Sequence, residues 1–314
     1  MALEPLLLLL VFTFGQTGAA PIPPNSSYGM MQDSFALEIG GQTYDWDVLA
    51  RFVMPGESLV IKIKPQYNAR NYGWICSGGE LLNVKPLEKI WVAPQKAGLY
   101  PLCIMSRAIK TINIFVMVPF QKLHKGKLNN YSIGWYPRSA SPHPKLIRPE
   151  GFIEVTSEVE STRLSPNYIL KEFICRQPGK FPKYLVLKEE LIIKLELLQA
   201  KIKEKGYNCS KLFVFSGYRT PRYNTGGGGG RHSAHIYGGA ADFFIDEDHN
   251  GLIDDLNKDG RFNSKDSKIL YDIANELDTE RPDLVGGIGW YRRVGGVGPC
   301  IHVDVRGKPT RWHQ

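Results

Sequence analysis

The sequence predicts an α+β protein in two parts: a β-rich, sandwich-like N-terminal domain and a mixed α and β domain behind it. Three observations carry this. Residues 35–118 hold short apolar runs separated by turn residues, with no helical period. Residues 119–150 are broken by Pro119, Pro137, Pro142, Pro144 and Pro149 among Lys, Asn, Ser and His, which marks a linker or an extended strap. From residue 151 helical periodicity and strand-like runs alternate. A chain of 314 residues, 43% hydrophobic and 11% aromatic, is long and apolar enough for two globular cores.

At the N-terminus, Leu6 to Phe14 form an apolar run followed by small residues ending at Ala19 or Ala20, the pattern of a signal peptide over residues 1–20. Glu4 stands where Lys or Arg is usual. The alternative is an uncleaved anchor, but the run is too short to cross about 30 Å of hydrocarbon. No later stretch reaches a spanning length, so the expectation is an exported protein, secreted or periplasmic, soluble after processing. The formal net charge of +8 suits an anionic neighbour such as cell-wall polymer. Nucleic acid is not expected, because the basic residues are scattered and no aromatic-basic module accompanies them. Five cysteines, Cys76, Cys103, Cys175, Cys209 and Cys300, fit an oxidising compartment. Cys76 with Cys103 and Cys175 with Cys209 are pairings within each half; connectivity stays open.

After the prolines at 21–24, strands are expected at Ser58–Ile63, Leu99–Met105 and Ile112–Val118. The N-terminal domain carries no catalytic constellation and reads as a structural or wall-binding accessory module. In the second domain, Leu187, Leu191, Leu195, Leu198 and Ile202 recur at helical spacing, with Lys and Glu opposite and Gly206 at the C-terminal cap position. A strand follows at Leu212–Ser216, then a glycine run at Gly226–Gly230, and a closing strand at Ile301–Val305.

Chemistry concentrates in that second domain. His235 and Asp242 stand seven residues apart across a Gly-Gly turn, and His302 and Asp304 lie on the closing strand. Two imidazoles and one carboxylate leave a fourth tetrahedral position open, the ligand set of a catalytic zinc. The motifs Ser233-x-His235-x-x-Gly238-x-Ala240-x-Asp242, His302-x-Asp304 and Ser216-Gly217-Tyr218-Arg219 with Asn224 occur in order. This segment, from Leu164 to Trp312, resembles the D-alanyl-D-alanine carboxypeptidase family of zinc peptidases, which shares its core with hedgehog signalling domains. The resemblance implies a zinc held by His235, Asp242 and His302. It also implies that the Arg219 guanidinium faces the scissile carbonyl or terminal carboxylate of the substrate. Many members place a Glu general base three residues before the last His; here that position is Pro299, which transfers no proton. Asp304 is the best substitute, since residues two apart on a strand share a face at about 6.6 Å. Its other reading is an orienter of His302. His232 is a weaker candidate for the base.

Residues 246–266 add two oxygen-rich loops of EF-hand type: Asp246, Asp248 and Asn250 with Gly251, then Asp255, Asn257 and Asp259 with Gly260, followed by Asn263 and Asp266. Alternating oxygens around a glycine turn suit calcium. The second loop has an acid at position twelve, resembles a dockerin half-repeat and runs into a helix at Ser267–Leu277; the first has Asn257 at position twelve. The expected function is an exported zinc peptidase acting on peptidoglycan, as a D-Ala-D-Ala carboxypeptidase or an endopeptidase. Its rivals are a non-catalytic, zinc- and calcium-stabilised wall-binding module and a calcium-dependent adhesion protein. The domain limits read 1–20 signal peptide, 35–118 accessory domain, 119–150 linker and 151–314 peptidase-like domain.

Overall fold

The computed structural model describes residues 35–65, 71–293 and 298–314, so the expected signal peptide and the proline cluster at 21–24 lie outside the described residues. The architecture is α+β, mostly sheet with few helices. The first part contains β1 (Phe35–Ile39), β2 (Gln42–Tyr44), β3 (Val48–Val53), β4 (Ser58–Pro65), β5 (Gly73–Cys76), β6 (Glu80–Lys85), β7 (Glu88–Val92), β8 (Gly98–Met105) and β9 (Ile109–Val116). These form two sheets, ordered β2-β1-β4-β7-β6 and β3-β9-β8-β5.

Period-two alternation gives each sheet an apolar face. Leu37 and Ile39 of β1, Ile61 and Ile63 of β4 and Trp91 of β7 meet Leu102 and Ile104 of β8 and Ile112 and Ile114 of β9 in one buried cluster. The alternation fails in β3 and β9 for a physical reason. Both faces of these strands are covered, one by that cluster and the other by the second part of the chain, into whose core Ala50 and Phe115 project. Arg51 crosses the same seam and bonds Glu189 at 2.9 Å.

All five cysteines are free, which corrects the two pairings left open by the sequence. Opposite Cys103 on β8 stands Ile75 of β5, and opposite Cys76 stands Leu102. Successive side chains alternate faces, so Cys76 and Cys103 project to opposite sides of the sheet. Cys175 is buried with its Sγ turned to the Thr220 N–H at 3.5 Å, and burial pushes the Cys209 thiol up to about 12.

Residues 119–150 form a strap with short strands β10 (Val118–Pro119), β11 (Lys127–Leu128) and β12 (Tyr131–Ser132). It inserts Leu128, Tyr131, Ile133, Tyr136 and Leu146 into the core of the second part. That part continues with β13 (Gly151–Val155), β14 (Lys183–Leu185), helix α1 (Glu189–Glu204), β15 (Leu212–Ser216), α2 (Pro221–Gly226), β16 (Ala240–Ile245), α3 (Ser264–Glu280), β17 (Gly287–Tyr291), β18 (Cys300–Asp304) and β19 (Thr310–His313).

Helix α1 buries Leu191, Leu195, Leu198 and Ile202 as its spacing requires, and ends at Gly206, whose φ of +87° lets Tyr207 N–H reach back to Ile202 O. Lys194 departs from the amphipathic pattern. Its ammonium is fully buried and donates to Asp278 Oδ1 at 2.6 Å, Asp304 O at 2.9 Å and Leu284 O at 3.1 Å, fastening α1 to α3 and to the end of β18. The five-stranded sheet β15-β16-β18-β17-β19 has one face of Ala241, Phe243, Ile245, Ile301, Val303 and Ile288, all buried in the core. Its other face carries the polar residues of the candidate site.

Candidate metal centre

One transverse row of that sheet builds the site. Ser216 of β15 pairs with Asp242 of β16, Asp242 with His302 of β18, His302 with Gly289 of β17, and Gly289 with Trp312 of β19. Paired residues point to the same face, so Ser216, Asp242, His302 and Trp312 stand side by side. Glycine at 289 has a steric reason, because a Cβ there would run into the Trp312 indole. With that space open, the indole lies 5.1 Å from the His302 ring and walls one side of it, while its Nε1 donates to the Tyr291 hydroxyl at 2.7 Å.

His235 arrives from a different direction. A single helical turn at Ala234–Tyr237 ends at Gly238, whose φ of +66° is the left-handed conformation that favours glycine. The chain then enters β16, which brings His235 over Asp242. The turn after β15 interlocks with this one: His235 Nδ1 donates to Gly217 O at 2.7 Å, and Arg219 N–H donates to His235 O at 3.2 Å.

The contact with Gly217 fixes the His235 tautomer. A carbonyl only accepts, so His235 carries its hydrogen on Nδ1 and leaves the Nε2 lone pair free. His302 faces a carboxylate at each nitrogen, Asp304 Oδ2 at 3.0 Å from Nε2 and Asp242 Oδ1 at 2.8 Å from Nδ1, so with Nε2 donating to Asp304 its Nδ1 is the nitrogen a metal would take. His235 Nε2 and His302 Nδ1 lie 3.2 Å apart, and Asp242 Oδ1 is 3.3 Å from the first and 2.8 Å from the second. Three possible ligand atoms thus converge among buried side chains. Burial lowers the His235 pKa and keeps that ring neutral. Burial also opposes charging of His302, but the carboxylates of Asp242 and Asp304, which accept hydrogen bonds from the ring, outweigh it and raise its pKa. The donor set fits a zinc ion, with Gly217 O and Asp304 orienting the two rings.

Asp304 is fully buried. Besides His302, its carboxylate accepts from Gly287 N at 2.7 Å, Arg306 N at 3.0 Å and the Arg306 guanidinium. Burial would raise its pKa, yet the bonds from His302 and Arg306 hold it well below the carboxylate range. Arg219 donates from Nε to Ser216 Oγ at 2.9 Å and from Nη2 to Asp242 Oδ2, so it grips the carboxylate oxygen that does not face the histidines. Its remaining N–H groups border a cavity of about 700 Å³ walled also by Arg176, Arg222 and Tyr218. His232 lies apart from the triad, against Tyr237 and Ser139.

Downstream of β16, the carboxylates of Asp246, Asp248 and Asp254 come within 4.8 Å of one another. Asp254, at position nine of the first loop, escaped the sequence reading, which gave greater weight to the second loop. Burial and the neighbouring Asp248 and Asp246 raise the Asp254 pKa. In the second loop, Asp266 is fully buried and spends its oxygens on the N–H groups of Leu256, Asn257 and Asn263, which closes the N-terminus of α3. Asp255 accepts from Asp259 N and Gly260 N, and Asn257 Oδ1 also accepts from Asp259 N. Among the described residues, no third carboxylate joins Asp255 and Asp259 to form a second such cluster.

This face presents a His–Asp–His set buried beside an arginine-lined cavity. Consistent with it, the model of the Peptidase M15 family matches residues 165–265, less than half of the chain, and supports a peptidase. No curated protein matches this chain. Among solved structures, the M1 domain from titin is similar at 12% identity over 23% of this chain and 87% of that domain, but its TM-score of 0.17 carries no argument.

Proposed function

We propose that this chain is an exported zinc metallopeptidase that hydrolyses a peptide bond in peptidoglycan, as a D-Ala-D-Ala carboxypeptidase or an endopeptidase. The observation that carries the reading is the convergence of His235 Nε2, His302 Nδ1 and the Asp242 carboxylate at one buried point, beside Arg219. The family match over residues 165–265 supports the same chemistry.

In this reading His235, Asp242 and His302 hold the metal. Zinc, when bound, supplies Lewis acidity toward a carbonyl oxygen and lowers the pKa of a water to about 7. Arg219, already anchored through Ser216 and Asp242, presents its free N–H groups to a substrate carbonyl or terminal carboxylate in the cavity and stabilises negative charge there. Asp304, with its oxygens occupied by four sets of donors, serves as the orienter of His302 rather than as the proton acceptor.

Calcium belongs to the loop of Asp246, Asp248 and Asp254, with Asn250 and Gly251 shaping its turn. Its role is structural, because Asp246 continues directly from the strand that carries Asp242. The N-terminal sheets act as an accessory module. Among the described residues no helix is long and apolar enough to cross a membrane.

The test is digestion of purified muropeptides by the mature protein with zinc and with a chelator, followed by mass analysis. One new fragment pair, lost with chelator, is the expected result. Intact muropeptides in the presence of zinc-loaded protein would favour the rival reading, a wall-binding module with no turnover, which the absence of a Glu at Pro299 permits.

A further inference from the structure

Three hollows around α2 join into one groove. The first is the cavity beside Arg219, of about 700 Å³, where Arg176 and Arg222 also stand. The second, of about 360 Å³, shares Arg222 and Gly226 with the first, and the third, of about 830 Å³, shares Trp135 and Pro221 with the second. The third adds Arg138, Arg148 and Arg231. Among the described residues, no Asp or Glu lines any of the three.

The arginines along it are prepared for a ligand. Arg176 lies over the Phe215 ring at 5.7 Å and Arg148 over the Phe120 ring at 5.1 Å. Stacking holds the guanidinium plane and leaves its N–H edge free for a bidentate acceptor. Arg219 is tied to Asp242, whereas among the described residues no carboxylate pairs with Arg176 or Arg222. Where the second and third hollows meet, Trp135 is 73% exposed, a large flat apolar surface in an otherwise cationic channel. A mere solvated charge patch would not need such a residue, and an isolated indole would not need six arginines around it.

We propose that this groove is an extended site for an acidic peptide. Arg176 and Arg222 take carboxylates nearest the scissile bond, and the chain continues across Trp135 toward Arg138, Arg148 and Arg231. The proposal rests on the peptidase reading for its link to cleavage, since the groove opens on the cavity beside Arg219. A peptide is favoured over a phosphate polymer by that continuity with a peptidase centre, and over a neutral peptide by the uniform charge.

The experiment is fluorescence anisotropy of the full mature protein with labelled oligoglutamate, oligoglutamine of equal length and polyphosphate. Oligoglutamate binds and oligoglutamine does not. Arg176→Gln and Arg222→Gln each weaken oligoglutamate binding about fivefold, the upper range for a partly exposed ion pair. Trp135→Ala also weakens it, and Lys85→Gln, the same charge change on exposed β6, leaves it unaltered. Equal affinity in the two arginine variants, equal binding of oligoglutamine, or tighter binding of polyphosphate each overturns the proposal. The readout involves no turnover. A protein that binds oligoglutamate but cleaves no muropeptide keeps the groove and loses the peptidase reading, whereas muropeptide cleavage with binding indifferent to both arginines does the reverse.

Discussion

Gly217 offers His235 a carbonyl oxygen, Asp304 offers His302 a carboxylate, and the second nitrogen of each ring is thereby turned toward Asp242. Two predictions belong to this scale. Asp304→Asn keeps the volume but replaces an acceptor for Arg306 and His302 with an amide. If Asp304 orients His302, zinc affinity falls about 10- to 100-fold, while turnover at saturating zinc is largely kept. A collapse of turnover at full zinc occupancy would make it the general base. Arg219→Ala removes a preorganised cation and should lower turnover about 10²- to 10³-fold with zinc content retained. Unchanged turnover would leave the arginine a role only in holding Asp242. The three side chains that converge, His235, Asp242 and His302, were legible in the sequence because their motifs are made of side chains. Gly217 was legible only as a glycine, since its contribution is a backbone carbonyl that no motif spells.

The five-stranded sheet shows why strand spacing was a good guide to some elements and a poor one to others. His302 and Asp304 alternate with Ile301 and Val303, and the polar and apolar faces of β18 follow directly. Trp312 joins the site through the parallel pairing of β19 with β17, and that pairing links segments whose register nothing local specifies. Helix α1 was readable from its leucines, but Lys194 was not, because a buried lysine is understood only once Asp278 and the carbonyls of Leu284 and Asp304 surround it. The loop after β16 gives a prediction at this scale. Calcium binding to the native state alone raises stability by about 2.7 kcal/mol at a hundredfold excess over Kd. The melting temperature should therefore be higher in millimolar calcium than in chelator, and Asp246→Ala should abolish the difference. Identical melting in both conditions would make the loop an ordinary acidic turn.

At the largest scale, the described residues from 35 to 314 form one compact unit. Phe115 and Ala50 leave the N-terminal sheets to enter the core of the second part, the strap at 119–150 lays its aromatic residues into that core, and Arg51 meets Glu189 across the seam. The sequence marked the strap by its prolines, but its apolar residues carry no period that tells a linker from a buried strap. One cooperative unfolding transition is expected by calorimetry, and Phe115→Ala should destabilise all of it by about 3–5 kcal/mol. Two separate transitions, with only one moved by the substitution, would contradict a shared core. Zinc peptidase chemistry in this chain requires a metal at His235, Asp242 and His302, and metal analysis of the purified protein after equilibration with zinc tests that most directly. One equivalent of zinc in the native chain and none in His235→Ala is the predicted result; full stoichiometry in the variant, or no zinc in the native chain, would contradict it.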